Sequence, residues 1–143
     1  MRIEPYLFFD GNCETALGFY QHCLGGELVA MHRYAESPEA EHLAPEWHQK
    51  VMHAALAVDG QRFMASDRMP GQPFAGHAGF SMSVNLPLDA ARGEAVFKAL
   101  ATGGMVTMPF AKTFWGAHFG MLVDKFGVSW MVNCETGEPP EAP

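Results

Sequence analysis

Apolar residues alternate with small or polar residues in two segments of the chain that share one design. Residues 53–64 (HAALAVDGQRFM) and residues 118–131 (HFGMLVDKFGVSWM) each start at a His, reach an Asp six positions later, turn at a Gly and end at a Met. Alternation on both sides of a turn predicts a β-hairpin, and Asp59-Gly60 is typical of the tightest hairpin turn. The chain therefore contains two copies of one predicted hairpin.

The residues before the hairpins also repeat, here with helical periodicity. Residues 19–26 (FYQHCLGG) match residues 97–104 (FKALATGG) at a distance of 78 positions, whereas the hairpins are 65 positions apart. The first half therefore has 13 additional residues, which fall in the polar stretch 36–49. A repeat whose insertion falls in a predicted loop indicates a duplicated unit of the order β-α-β-β-β.

The predicted elements divide one domain into two modules. We expect the modules at 1–68 and 78–135, joined by a Pro- and Gly-rich linker at 69–77. The expected helices are 13–24 and 88–102, and the expected strands are 2–9, 27–34, 50–58, 61–66, 78–86, 105–114 and the two of the second hairpin. Residues 136–143 are acidic and Pro-rich, and we expect them to be disordered. The predicted fold class is α+β.

Composition restricts the class of protein and its partners. The 143 residues are 48% apolar, but they contain no run of about 18 apolar residues that would span a membrane. The first residues lack the pattern of a signal peptide, and three Cys without framework spacing favour a reducing compartment. A net charge of −7 without a basic cluster disfavours nucleic acid and anionic membranes. We therefore expect a cytoplasmic protein that binds neither.

Five sequence motifs together resemble a known family. They are FDGNCETALGFY (9–20), LGGE (24–27), FMASD (63–67), WG (115–116) and DKFGVSW (124–130). The chain is similar to the PhnB-like branch of the vicinal oxygen chelate superfamily, which includes glyoxalases, bleomycin resistance proteins and extradiol dioxygenases. The resemblance implies a glyoxalase-like fold in which the two modules form a curved sheet cup. It also implies a homodimer and a small-molecule ligand.

Proteins of this branch are often labelled as demethylubiquinone methyltransferases. In this sequence no predicted strand is followed by a Gly-rich loop that would hold a nucleotide cofactor. We therefore expect no methyltransferase activity and no such cofactor.

The superfamily's chemistry implies a divalent metal held by His and Glu from four strands. Carried onto this chain by register, the four positions are Pro5, Met64, Gly79 and Met131, with His77 competing for the third. Proline and glycine have no side-chain ligand, and a thioether is a poor ligand for a hard divalent ion. The expected site therefore has no metal.

Side chains alternate between the two faces of a strand, so these positions predict which residues line the cup. Counted from Pro5, Leu7 and Phe9 would face the cup, while Tyr6 and Phe8 would face the helix. The other residues expected in the cup are Arg62, Met64, Ser66, Ser81, Ser83, Ser129, Met131 and Asn133.

Each half also contributes a histidine to the predicted cup. We expect the bulky Phe119, Met121 and Val123 to face the helix, which turns His118 into the cup, and the repeat places His53 likewise. Both are candidate catalytic residues, because a neutral imidazole serves as a general base or as a donor to a substrate oxygen. The alternative is that both are ordinary hydrogen-bonded strand residues kept by the duplication.

Other polar and aromatic residues complete the candidate site. The candidate substrate-binding residues are Trp115, Ser81, Ser83, Met64, Met131 and Asn133. Trp115 is predicted as an aromatic wall, either of the core or of the pocket rim. We expect Asp67 to cap a turn, Arg68 to form a surface ion pair and Cys13 to be a packing residue at the start of the first helix.

Two functions agree with these residues, and a third possibility is a purely structural module, which predicts a filled cup with no cavity between the halves. In the first, the protein works without a metal and binds or converts a small, partly apolar molecule in the cup. In the alternative, it is a divalent-metal lyase, isomerase or dioxygenase with relocated ligands that use His53, His77 or His118. The sequence leaves open whether the protein is an enzyme.

Overall fold

The computed structural model describes residues 1–140, which form two compact units that divide between Ala75 and Gly76. Module 1 contains β1 (Tyr6–Phe9), α1 (Cys13–Leu24), β2 (Glu27–Arg33), β3 (Val51–Val58) and β4 (Gln61–Asp67). Module 2 contains β5 (Met82–Asn85), α2 (Ala90–Ala101), β6 (Met105–Lys112), β7 (Ala117–Val123) and β8 (Ser129–Glu135). The predicted α+β class and the order β-α-β-β-β are confirmed. Neither helix is long and apolar enough to cross a membrane.

The strands of each module form one four-stranded sheet, and both sheets have the same topology. The order is β1-β4-β3-β2 in module 1 and β5-β8-β7-β6 in module 2. In each sheet the first strand pairs in parallel with the last, and the other pairs are antiparallel. Asp59 and Gly60 connect β3 to β4 with φ values of 48° and 80°, as the predicted tight turn requires.

One helix covers one face of each sheet, which we call the helix face; the other is the open face. The buried residues of α1 include Ala16, Leu17, Tyr20 and Leu24, and those of α2 include Val96, Phe97 and Leu100. The ring of Tyr20 lies 6.0 Å from that of Phe63 on β4, and Phe97 lies 5.6 Å from Phe110 on β6. Burial of each large apolar side chain stabilises its module by about 1.5–3 kcal/mol.

Three segments differ from the sequence-based expectation. Strands β1 and β5 are shorter than predicted, because Pro5 and the Gly-rich stretch before Met82 do not continue the strands. The polar insertion is not an irregular loop but contains three 3₁₀ turns, Tyr34–Glu36, Ala40–His42 and Pro45–Trp47.

The start of the acidic tail is held in place, contrary to the predicted disorder. The backbone N–H of Thr136 donates to the carbonyl of Gly116 at 3.0 Å, and Lys112 forms an ion pair with Glu138 at 3.2 Å. The remainder of the predicted tail, at 141–143, lies outside the described residues.

Two glycines let the chain pass close to the same point of each sheet. A Cβ at Gly26 would lie 2.6 Å from the carbonyl oxygen of Ala57, and one at Gly104 would lie 2.2 Å from that of Val123. Both distances are too short for any side chain, so only glycine fits. The contacts make Ala57 and Val123 equivalent, and these residues are 66 positions apart.

The side chains of β1 face opposite to the prediction. Leu7 and Phe9 are buried at 3% and 1% exposure, whereas Tyr6 and Phe8 are 37% and 55% exposed. In the sheet Tyr6 lies beside Met64 and Leu7 beside Ala65, so Tyr6 and Phe8 share the open face with Met64. The expectation that Leu7 and Phe9 line the cup is therefore wrong. Its cause is a one-residue error in placing Pro5, since such a slip exchanges the two faces.

The faces of β7 are also the reverse of the prediction. His118 lies opposite Cys134, and Gly120 opposite Val132, on the helix face. A Cβ at Gly120 would lie 2.7 Å from the ring of Phe97, so α2 occupies the space above this glycine. Phe119 and Met121, expected on the helix face, lie opposite Asn133 and Met131 on the open face.

The reversal of β7 follows from how the two halves were aligned. Matching His53 to His118 gives an offset of 65 positions, whereas strands β3 and β7 correspond at the offset of 66 set by Ala57 and Val123. With that offset, the residue equivalent to His53 is Phe119 and not His118. The two histidines are therefore not structural counterparts.

Candidate functional site

A cavity of about 480 Å³ opens on the open face of module 1. Three strands (β1, β3 and β4) and the following linker form its floor and one side. From the strands it is lined by Tyr6, Phe8, Met52 and Ser66, and from the linker by Met69 and Pro70. The polar insertion forms the opposite wall with Tyr34, Ser37, Glu39 and Leu43. This volume and the mixture of aromatic, aliphatic and hydroxyl groups suit a small, partly apolar molecule.

Sheet register explains why the strand residues meet at this cavity. Phe8 lies beside Ser66 in the parallel β1–β4 pair, so their side chains point to the same face. The ring of Tyr6 lies 5.1 Å from that of Phe8. The single helix of module 1 packs on the other face of the sheet, so both rings line the cavity.

The wall of the insertion is fixed by an aromatic and ionic stack. The hydroxyl of Tyr34 donates to the backbone carbonyl of Asp67 at 3.0 Å, and its ring meets that of Trp47 edge-on at 6.0 Å. The guanidinium of Arg68 lies 5.2 Å from the Trp47 ring centre and forms an ion pair with Asp10. Trp47 is therefore held from two sides, and the wall is attached to the sheet.

The backbone of the insertion is closed by further hydrogen bonds. The N–H groups of Tyr34 and Ala35 donate to the carbonyls of Lys50 and His48 at 3.0 and 2.9 Å. Nε2 of His48 lies 2.9 Å from the carbonyl oxygen of Ala40 and 3.2 Å from that of Leu43. This histidine holds together the segment that carries the cavity residues.

His53 lies on the open face next to the cavity. Its Nδ1 lies 3.1 Å from the hydroxyl of Tyr6, and the two rings are 5.7 Å apart. The side chain alternates with Ala54, which is buried, and it is half-buried itself. His53 thus contacts Tyr6, which lines the cavity, but His53 does not line the cavity itself. A phenol coupled to an imidazole offers both a proton donor and an acceptor.

Asp67 is a buried structural carboxylate. Oδ1 accepts hydrogen bonds from the N–H groups of Gly11 (2.8 Å) and Cys13 (2.9 Å), and Oδ2 accepts one from Val51 (2.8 Å). It thereby caps the start of α1 in place of Asn12, whose side chain makes no capping bond. The bonds join the start of α1 to β3 and β4, in agreement with the structural role expected for Asp67.

Burial determines the chemistry of Cys13. Its side chain is fully buried, and this desolvation, with the negative charge of Asp67, raises the pKa of the thiol far above its ordinary value. The dipole of α1 does not compensate for the loss of water. Cys13 is therefore a packing residue. Burial, followed by the negative charge of Asp67, also raises the pKa of the Tyr34 phenol.

Several predicted binding residues meet on the open face of module 2. Ser83 lies beside Met131 and Asn85 beside Asn133 in the β5–β8 pair. The amide of Asn133 donates to Asn85 at 3.4 Å, and that of Asn85 to the Ser83 hydroxyl at 3.3 Å. These residues form a polar row along the strands.

The other predicted residues lie at different points. The ring of Trp115 is 44% exposed and meets that of Phe119 at 5.7 Å, on the side of the open face. Ser81 precedes β5 and is half-buried. Met64 belongs to module 1, where it lies beside Tyr6.

His118 does not occupy the position predicted for it. It stacks on Phe110 with a ring separation of 6.0 Å on the helix face of module 2. Its Nδ1 is buried, and within residues 1–140 it has no hydrogen-bond partner. The expectation that His118 faces a ligand together with His53 is therefore wrong.

The metal positions implied by the resemblance also change with the register. The open-face neighbour of Met64 is Tyr6, and that of Met131 is Ser83. Tyr6 and Ser83 therefore occupy the metal-ligand positions that the resemblance implies at Pro5 and Gly79. Hydroxyl and thioether groups do not form the His and Glu set that a divalent ion of this superfamily uses. No three His, Cys, Asp or Glu side chains in the described part of the chain are grouped to hold a metal. The residues present do not fit the implied ion.

Sequence reasoning missed most of the cavity. The sequence predicts Tyr6 and Phe8 on the wrong face, and it predicts a polar loop at 36–49 although that stretch contains Leu43 and Trp47. An apolar residue in a polar insertion is the signal that could have found this wall, because it needs a surface to pack against.

Comparison with known proteins identifies relatives along almost the whole chain. The family model described as 3-demethylubiquinone-9 3-methyltransferase matches residues 1–133. Protein YjdN of Escherichia coli (strain K12) is 34% identical over 99% of this chain and 100% of that protein.

Solved structures extend the comparison to the fold. Protein PA1353 from Pseudomonas aeruginosa is 47% identical with a TM-score of 0.85, over 94% of this chain and 98% of that one. The PhnB protein from Bacillus cereus is 30% identical with a TM-score of 0.77, over 94% and 99%. The fosfomycin resistance protein FosX from Listeria monocytogenes shares the fold alone, with 9% identity and a TM-score of 0.62 over 96% and 94%.

Proposed function

We propose that this chain binds a small, partly apolar molecule in the cavity of module 1. The chain belongs to the PhnB-like family, which is described as 3-demethylubiquinone-9 3-methyltransferase and lies within the vicinal oxygen chelate superfamily. The observation that carries the proposal is the cavity itself. It is about 480 Å³ in volume and combines three aromatic rings with aliphatic side chains and hydroxyl groups. We propose that binding requires no metal. This is supported by the hydroxyl and thioether groups of Tyr6, Ser83, Met64 and Met131, which lie where the superfamily places its metal ligands.

Tyr6 and His53 supply the polar contact in this proposal. The Tyr6 phenol lines the cavity and is 3.1 Å from Nδ1 of His53, so a polar group of the ligand meets a hydroxyl whose orientation the imidazole fixes. If the bound molecule is converted, this pair is the proton carrier. His118 has no part in the proposed site.

Methyl transfer is not part of the proposed function, in spite of the description of the family. The connections from β1 to α1 and from β5 to α2 are Asp10-Gly11-Asn12 and Leu86-Pro87-Leu88-Asp89. Neither is a Gly-rich loop of the kind that holds a nucleotide-type cofactor. This supports binding or metal-free conversion of the ligand rather than transfer of a group from such a cofactor.

Self-association is a second part of the proposal. Met105, Val106 and Met108 lie on β6, an edge strand of module 2, and are 62%, 45% and 44% exposed. An exposed apolar edge of this kind favours contact with another chain, and we propose a homodimer in the cytoplasm. Cys13, Cys23 and Cys134 are buried and form no disulfide within the described residues, which agrees with a reducing compartment. Sedimentation velocity at micromolar concentration tests the dimer, and a single monomeric species would contradict it.

Binding to the cavity is tested with a neutral, environment-sensitive dye such as prodan. We expect the dye to bind the wild-type protein with a blue-shifted emission. Phe8→Ala removes part of the cavity wall and should weaken binding by about threefold to tenfold, while Met52→Trp fills the space and should abolish it.

The control is Phe114→Ala, which removes an exposed aromatic ring of module 2 that is no part of the cavity. This variant should bind the dye like the wild-type protein. Equal affinities of Phe8→Ala and Phe114→Ala would show that the dye binds elsewhere, and the proposal would fail.

A further inference from the structure

The two phenol groups that line the cavity have hydrogen-bond acceptors left to offer. The hydroxyl proton of Tyr34 is donated to the carbonyl of Asp67, so the lone pairs of the phenol oxygen remain. The Tyr6 hydroxyl is hydrogen-bonded to Nδ1 of His53. When Nδ1 accepts the phenol proton, the lone pairs of the Tyr6 oxygen also remain for a ligand. The two phenol oxygens therefore suit a ligand that donates hydrogen bonds, whereas the hydroxyls of Ser37 and Ser66, which also line the cavity, can donate as well as accept.

The charge of the cavity has one sign. Among the described residues that line it, Glu39 is the only charged side chain, and no cationic side chain of the described chain forms an ion pair with it. Arg68 precedes the lining residue Met69 in the chain, but its guanidinium forms an ion pair with Asp10 and stacks on the ring of Trp47. The cavity therefore presents an uncompensated negative charge, in a protein whose net charge is −7.

Aromatic rings make up much of the apolar lining. Tyr6, Phe8 and Tyr34 each contribute a ring, and those of Tyr6 and Phe8 lie 5.1 Å apart. The face of an aromatic ring carries partial negative charge and attracts a cation within about 6 Å. Rings, acceptor oxygens and a carboxylate thus favour the same kind of ligand.

We infer that the ligand of this cavity is an organic cation, a protonated or quaternary amine carried on a compact apolar body. The inference rests on the proposed binding function and names the class of molecule that the cavity takes. Organic anions are disfavoured, because no side chain that lines the cavity would neutralise them and Glu39 would repel them.

Three probes of nearly equal size and different charge test this inference. They are 2-phenylethylammonium, 2-phenylethanol and phenylacetate, titrated into ¹⁵N-labelled full-length protein and followed by the shifts of cavity amides. We expect the ammonium ion to bind about 5–30-fold more tightly than the alcohol, from the ring faces and the exposed carboxylate together. Phenylacetate should bind at least about threefold more weakly than the alcohol.

Glu39→Gln removes the negative charge of the cavity while keeping its shape, so it distinguishes the contribution of the charge from that of the apolar lining. We expect this variant to lose about threefold to fivefold in affinity for the ammonium ion and nothing for the alcohol. The matched control is Glu41→Gln, since Glu41 lies in the same insertion, is highly exposed and does not line the cavity. It should bind all three probes like the wild-type protein.

The outcomes distinguish this inference from the proposal on which it rests. If the alcohol or the carboxylate binds as tightly as the ammonium ion, and Phe8→Ala weakens that binding, the cavity is a binding site but the cationic ligand is wrong. If none of the three probes shifts the cavity amides, both fail. A preference for the ammonium ion that Glu39→Gln and Glu41→Gln reduce equally would also overturn the inference, because it would reflect net charge alone.

Discussion

The phenol of Tyr6 lies 3.1 Å from Nδ1 of His53, across the strand β4 that separates β1 from β3. Because Tyr6 lines the cavity, the state of this imidazole decides whether the phenol offers a ligand its proton or its lone pairs. With the proton of His53 on Nε2, Nδ1 accepts from Tyr6. The pair thus links a side chain of the cavity wall to a titratable group behind it.

We predict that neutral His53 carries its proton on Nε2 and that Tyr6→Phe weakens this preference. The ¹⁵N shifts of the imidazole, read from long-range ¹H–¹⁵N spectra, distinguish the two tautomers. The variant should also lose about threefold to tenfold in affinity for a ligand that hydrogen bonds to the phenol, equivalent to about 0.5–1.5 kcal/mol. An Nδ1-protonated ring in the wild-type protein would show that Tyr6 is the acceptor instead.

Asp67→Asn should destabilise module 1 strongly. The carboxylate accepts three backbone hydrogen bonds at 1% exposure, and an amide offers one oxygen and two additional donors in its place. We expect a loss of about 2–4 kcal/mol in the free energy of unfolding, measured by urea denaturation with circular dichroism.

Asp59→Asn is the matched control for that substitution. Asp59 lies in the β3–β4 turn with a φ of 48°, a conformation that Asn tolerates well. The free energy of unfolding should change by less than about 0.5 kcal/mol. Similar losses at both positions would refute the role assigned to the Asp67 carboxylate.

The buried thiol of Cys13 should make stability depend on alkaline pH. Burial, followed by the charge of Asp67, raises the pKa of the folded thiol, whereas the unfolded thiol ionises near pH 9. The contribution of the buried thiol to the free energy of unfolding is therefore complete below pH 9. It is lost as the pH rises above 9, because only the unfolded state releases the proton. The expected loss is about 1.4 kcal/mol per pH unit for each thiol of this kind.

Cys13→Ala isolates this effect. The free energy of unfolding of the wild-type protein should fall between pH 9 and pH 10.5, and the variant should show a shallower fall at every urea concentration. Cys134, whose pKa burial also raises, contributes to the remaining slope. Parallel pH profiles of the two proteins would contradict the prediction.

Most of the fold could be predicted from residue patterns, because these depend on local chemistry. Gly25 ends α1 with a φ of 74°, and Asp59-Gly60 turns the first hairpin, as expected from residue type alone. The repeat of Gly26 and Gly104 reflects a close approach to the sheet that is the same in both modules.

The candidate site was predicted less well, because a face depends on counting to a single residue. His118 and His53 have the same distance to the next Asp, yet Asp59 turns a two-residue loop while Asp124 is buried and accepts from the indole N–H of Trp130 at 2.8 Å. At the offset of 66 positions the counterpart of Asp124 is Val58 and not Asp59, so aligning the two Asp residues displaces β7 by one position and exchanges its faces. Strand alternation alone does not reveal such a shift, nor does it show that a polar insertion folds back over the open face.

His118→Leu should be tolerated or stabilising. The imidazole lies on the helix face with a buried Nδ1 that has no hydrogen-bond partner within residues 1–140, and an apolar side chain removes that cost. We expect the free energy of unfolding to stay equal or to rise by up to about 1 kcal/mol, with unchanged dye binding. His53→Leu, by comparison, should alter ligand binding through Tyr6. A marked loss of ligand affinity in His118→Leu would restore its predicted place in the site.

Replacing glycine by alanine should destabilise the protein at Gly120, where α2 packs against β7, and stabilise it at Gly18 in α1. Gly120→Ala would place a Cβ 2.7 Å from the ring of Phe97 and 2.9 Å from Cα of Phe110, so the helix or the strand has to move. We expect a loss of about 1–3 kcal/mol in the free energy of unfolding. Gly18→Ala, in α1, meets no atom within 4 Å and should stabilise module 1 by about 0.5–1 kcal/mol through higher helix propensity. Urea denaturation of both variants measures the two signs. A neutral Gly120→Ala would mean that the space above Gly120 is open and would contradict the close packing of α2 on β7.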